Sequence, residues 1–95
     1  MIWAMIFFGE AIEGEMLDEL SKIGLKHYSL WKNVTGVGHS GAKMGTVVWP
    51  EFNTCIGITV DREKYRELRN TIVNIKSILR DEGIKMFAMP VEDIV

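Results

Sequence analysis

The chain has 95 residues, a hydrophobic fraction of 47% and a net charge of −2 at pH 7. That size sets one domain, residues 1–95, near the small end of what folds alone, and the apolar content excludes disorder. The acidic balance excludes a broad basic footprint for nucleic acid, and a single cysteine, Cys55, excludes an internal disulfide or a CxxC zinc or redox site.

Residues 2–8 (IWAMIFF) form a continuous apolar run closed by Gly9, which predicts a buried strand. The run is too short to cross a bilayer and no basic segment precedes it. A cytoplasmic protein without stable membrane insertion is therefore expected. Across residues 12–23, Ile12, Met16, Leu17, Leu20 and Ile23 form a helical stripe, and Gly24 supplies its C-terminal stop. Residues 25–34 are aromatic and partly alternating, which reads as a strand with His27 on one face beside Ser29 and Trp31. Residues 47–60 hold two extended pieces broken by Pro50, of which 52–60 suits a central strand.

Asp61 is placed to cap a long helix over 62–82, with the stripe Tyr65, Leu68, Ile72, Ile75 and Leu79. Gly83 ends it, and residues 84–91 (IKMFAMPV) make the last strand. The order βαββαβ predicts an α+β fold, the ferredoxin-like plait: an antiparallel four-stranded sheet with two helices on one face. In the first strand both alternating sets are apolar, Ile2, Ala4, Ile6 and Phe8 against Trp3, Met5 and Phe7. The last strand repeats this, with Ile84, Met86 and Ala88 against Phe87 and Met89. Two helices cover one face only, and an antiparallel sheet with a wet second face should alternate with polar residues. Burying Trp3, Phe7 and Phe87 in an assembly is worth about 1.5–3 kcal/mol each. The pattern predicts a homo-oligomer, a closed ring of three.

Residues 34–50 (VTGVGHSGAKMGTVVWP) break the alternation and concentrate Gly36, Gly38, Gly41 and Gly45 with His39, Ser40 and Lys43. Two readings fit the glycines. They let backbone N–H groups form a concave nest for an anion, or they simply let a long hairpin loop turn. His39 can donate to phosphate, bind metal, or stand exposed with no role. Trp49-Pro50 either stacks on a base or anchors the loop exit, and anchoring is favoured because Pro pins a strand start.

With that order and loop in place, the chain resembles the PII signalling family and its PII-like relatives. Asn33-Val34-Thr35-Gly36-Val37-Gly38 is similar to the valine–glycine–glycine entry of the PII T-loop. The stretch from Gly45 through Trp49-Pro50 to Asn53, and the closing Met89-Pro90-Val91-Glu92, resemble a short-loop PII-like subgroup. The resemblance implies a homotrimer with inter-subunit clefts that take a small-molecule effector, an adenine nucleotide or another small anion. It also implies signalling through residues 34–50 to a protein target, not yet identified. Two features depart from the family: no Tyr lies between Asn33 and Val60, and a short link from Arg80 to Lys85 stands where PII carries a Gly/Lys-rich phosphate loop. The expected ligand set is Thr35, Gly36, Val37, Gly38, His39, Ser40, Gly41 and Lys43, with Arg80 and Lys85 from a neighbouring face. The trimeric ion-tolerance proteins share this plan, so a divalent-metal trimer using His39 is the alternative; otherwise no metal is expected.

The remaining residues read as scaffold. Cys55 suits an inert buried thiol, and Met5, Met16, Met86 and Met89 suit core filler. Glu13, Glu15, Asp18 and Glu19 read as a solvated acidic helix face without the partners a carboxylate enzyme needs. No Ser–His–Asp or Cys–His set, HExxH, P-loop or Rossmann fingerprint is present, and no enzyme is expected. The residues 9–11 turn lacks the arginine of an acylphosphatase, and 52–60 lacks the stacking aromatics of an RNA-recognition strand.

Overall fold

The computed structural model describes residues 1–34 and 53–95. Strand β1 (Ile2–Gly9) alternates as its sequence does, with Ile2, Ala4, Ile6 and Phe8 buried and Trp3, Met5 and Phe7 half-buried. A 3-10 turn, Glu10–Ile12, leads into helix α1 (Glu13–Lys22), which buries Met16 and Leu20. Gly24 follows at φ 82°, a left-handed position that glycine takes without strain, and the helix stops there as expected. Strands β2 (Ser29–Val34) and β3 (Asn53–Val60) follow, then helix α2 (Arg62–Ile78) and strand β4 (Lys85–Pro90). Asp61 caps α2, its carboxylate accepting the Lys64 backbone N–H at 2.7 Å.

The sheet order is β2-β3-β1-β4 with every neighbouring pair antiparallel. Ile2, Ala4, Ile6 and Phe8 join Ile56, Ile58, Met16, Leu20, Leu68, Ile72 and Ile75 in one core. Both helices therefore cover the same face, as the βαββαβ order predicts. No helix among the described residues is long and apolar enough to cross a membrane.

The element boundaries differ from the sequence reading most at the start of the second strand and at the end of the second helix. The second strand begins at Ser29, so His27 lies in an irregular, exposed stretch instead of on a strand face. The second helix ends at Ile78, four residues short of Glu82, although Gly83 offered the stop signal. Seventeen residues of helix rise about 25 Å, and eight residues of strand about 26 Å. The helix has thus spanned the sheet, and Leu79 leaves helical geometry (φ −102°, ψ 65°) to pack against the core. Two of the methionines expected in the core lie outside it: Met89 is 43% exposed in the single chain, and Met5 is half-buried on the side of β1 that turns away from the core.

Candidate functional site

The strand directions bring the end of β1, the end of β2 and the starts of β3 and β4 to one end of the sheet. Helix α1 begins at that end, and α2, having spanned the sheet, finishes there. Because β2 ends and β3 starts here, both roots of residues 35–52 lie at this end. Thr35, Gly36, Val37, Gly38, His39, Ser40, Gly41 and Lys43 lie outside the described residues. Arg80 and Lys85 do reach this end. Arg80 follows α2 and is exposed, and Lys85 opens β4 opposite Phe7 on the face that the helices leave free. The metal alternative rests on His39, which also lies outside the described residues. Among the described residues no three His, Cys, Asp or Glu side chains converge.

Sequence reasoning missed the polar cluster that ties this end together. Glu13, the first residue of α1, accepts a hydrogen bond from the Thr54 hydroxyl at 3.2 Å. Its other oxygen meets the Lys32 ammonium at 3.2 Å. Its side chain is only 19% exposed, so it is not part of a solvated acidic face. Thr54 is fully buried, and its hydroxyl needs this acceptor. One carboxylate thereby holds both strands that flank residues 35–52, at a helix N-terminus whose dipole favours negative charge.

Between Trp31 and Val34 the β2–β3 register slips by one residue, from Trp31 opposite Cys55 to Val34 opposite Asn53. Asn33 sits in this bulge at φ 62°, a left-handed conformation that asparagine tolerates better than most residues. A lysine on the helix side at 32 and an asparagine at 33 were the available sequence signals, and neither marks a bulge by itself.

On the open face, Lys85, Phe7, Cys55 and Trp31 form one row across the four strands, and Phe87, Met5, Gly57 and Ser29 form the next. Phe7 and Phe87 meet edge to face, with ring centroids 6.0 Å apart. Trp3 and Trp31 lean over Gly57 from opposite sides. A β-carbon there would meet Trp3 Cζ2 at 2.6 Å and Trp31 Cζ3 at 3.0 Å, so the indoles occupy the space that glycine leaves. Trp31 is 46% and Phe87 51% exposed. Cys55 lies beneath this layer as a free, buried thiol, and burial pushes its pKa up. On the other side, a groove of about 220 Å³ between α1 and α2 is lined by Glu15, Asp18 and Glu19 with Ile75 and Ile78. Lys22 pairs with both Glu19 and Asp18 beside it.

The sheet order and the two helices on one face define a ferredoxin-like α+β plait. CPII, a nitrogen regulatory PII-like protein from Thiomonas intermedia K12, bound to ADP, AMP and bicarbonate, superposes with a TM-score of 0.67 at 16% identity, over 99% of this chain and 94% of that one. CPII bound to ADP and bicarbonate gives 0.68 at 19% identity, over 95% and 86%. A candidate PII-like signaling protein from Thermus thermophilus gives 0.64 at 13%, over 93% and 83%. At such identities the likeness is one of fold, and it extends over nearly the whole chain. No protein-family model and no curated protein matches the sequence.

Proposed function

We propose that this protein is a PII-like regulator rather than an enzyme: a cytoplasmic homotrimer that binds a small anionic effector in its inter-subunit clefts. The observation that carries this reading is the uncovered apolar face, Trp3, Met5, Phe7, Trp31, Phe87 and Met89, on a fold shared end to end with proteins bound to ADP, AMP and bicarbonate. A sister copy is the partner this face suits, because the face carries few charges and its aromatic rings already pack on one another. The clefts so formed would bring residues 34–50 of one copy near Arg80 or Lys85 of the next. The effector is an adenine nucleotide or a bicarbonate-like anion, held by the N–H groups of residues 36–41 with Thr35, His39, Ser40 and Lys43. The same loop then signals occupancy to a protein target.

Native mass spectrometry of the protein taken from cells tests both halves together. The expected species is three times 10.8 kDa with a retained small molecule. Gly57→Val, which lifts both indoles from their seat, should dissociate the trimer and abolish ADP and bicarbonate binding together. A lone chain at low micromolar concentration, or ligand binding that is unaffected in a monomeric Gly57→Val variant, would overturn the reading.

A further inference from the structure

We propose that the groove between α1 and α2 is a docking site for a protein partner, and that it takes an arginine side chain carried on an amphipathic segment of that partner. The inference stands apart from the anionic effector and does not depend on it. The floor of the groove is apolar, with Ile75 buried and Leu79 half-buried, and Ile78 on its rim is 68% exposed. Glu15, Asp18 and Glu19 form the opposite wall, neighbours at i, i+3 and i+4 on α1. Among the described residues no basic side chain lines the groove. Lys22 beside it is shared between Asp18 at 3.5 Å and Glu19 at 3.0 Å, and Glu15 is in no ion pair among the described residues. Three carboxylates thus meet one ammonium, and the last turn of α2 adds the negative end of its dipole.

The size of the groove decides what fits it. At about 220 Å³ it is smaller than the roughly 300–1,000 Å³ of pockets that enclose a whole small molecule. It suits a single long side chain of a larger partner. Arginine matches both halves: its methylenes would lie along Ile75 and Leu79, and its planar fork presents five donors to the carboxylates. The compact ammonium of lysine meets fewer of them at once. Apolar residues beside that arginine would cover Ile78, which otherwise stands in water at the end of α2. The acidic wall repels nucleic acid and anionic membrane alike. Position keeps the site open, because the groove is on the helix side of the sheet. An assembly that buries Trp3, Trp31 and Phe87 on the other face leaves it accessible. The groove also lies where α1 begins and α2 finishes, at the end of the sheet from which residues 35–52 leave.

The probe is a capped helical peptide of leucine, alanine and arginine, titrated into the full-length protein and followed by amide NMR. A twin peptide carries citrulline, which keeps the shape of arginine and removes its charge, and agmatine supplies the guanidinium without a peptide. Shifts should concentrate at Glu15, Asp18, Ile75 and Ile78. The citrulline peptide should bind about tenfold or more weakly, the scale of one charged hydrogen bond. The double variant Glu15→Gln, Asp18→Asn should weaken the arginine peptide by about tenfold and leave the citrulline peptide unchanged. Both side chains are exposed, so these changes keep the fold. Ile78→Ser should weaken both peptides. Glu63→Gln, which removes an exposed charge in the first turn of α2, should weaken neither. Equal affinity for the two peptides, or an equal loss in Glu63→Gln, would overturn the arginine site. Shifts away from the groove, or none, would overturn the groove itself. Agmatine bound there as tightly as the peptide would replace the protein partner with a free cation. ADP and bicarbonate take no part in this titration, so the docking site and the proposed function can each fail alone.

Discussion

Glu13 offers the sharpest test of the structure, because its two oxygens serve different partners. Glu13→Ala leaves the Thr54 hydroxyl, 1% exposed, with no acceptor in the cluster. An unsatisfied buried hydroxyl costs about 1–3 kcal/mol. The half-exposed ion pair with Lys32 adds about 0–1 kcal/mol, and the charge at the start of α1 about 0.3–1 kcal/mol. Glu13→Gln loses only the last two contributions, since an amide oxygen still accepts from Thr54. Alanine should therefore cost about 1–3 kcal/mol more than glutamine, although alanine has the better helix propensity. At this chain length each kcal/mol lowers the melting temperature by about 4–8 °C. Thermal denaturation followed by far-UV circular dichroism, at one fixed protomer concentration, measures the difference. Equal melting temperatures for the two variants would refute the Thr54–Glu13 bond and, with it, the clasp at the roots of residues 35–52.

Two further outcomes follow from single contacts. Asp61→Ala removes the acceptor for the Lys64 N–H and should cost about 1 kcal/mol, whereas Asp61→Asn keeps the cap and should melt close to wild type. Cys55 contributes a pH dependence: burial raises its folded pKa, so above the ordinary thiol value the unfolded chain loses a proton that the folded chain keeps. That contribution is complete below the unfolded value and is lost as pH rises toward the raised one. Urea titrations across this alkaline window should show stability falling more steeply in wild type than in Cys55→Ala; identical slopes would mean that the thiol is not buried.

The alternation in residues 2–8, the Gly24 stop and the Asp61 cap were all legible because each depends on a few neighbouring residues. Local chemistry of that kind is written into the chain, and the structure places those features as expected. The end of α2 was not legible: the stop signal at Gly83 was local, but the length of the sheet beneath ended the helix at Ile78. Of the acidic helix face only Glu13 was misread, for a similar reason, because the i, i+3 and i, i+4 pattern describes solvent exposure only when nothing packs across it; Glu15 and Asp18 are exposed as expected. Glu13 is covered by strands far along the chain, and Thr54 is forty-one residues away.

Sequence alone determined the element order, the capping and the excess of apolar residues on both sides of β1, since each is a matter of period and neighbour. Only the tertiary structure decided which of those residues share a surface. Gly57 seats Trp3 and Trp31, and Glu13 joins Lys32 to Thr54, because antiparallel pairing puts side by side residues that the chain separates by tens of positions. Register across a sheet depends on the whole set of strand pairings, including the one-residue slip at Asn33, and no single stretch of sequence carries that information.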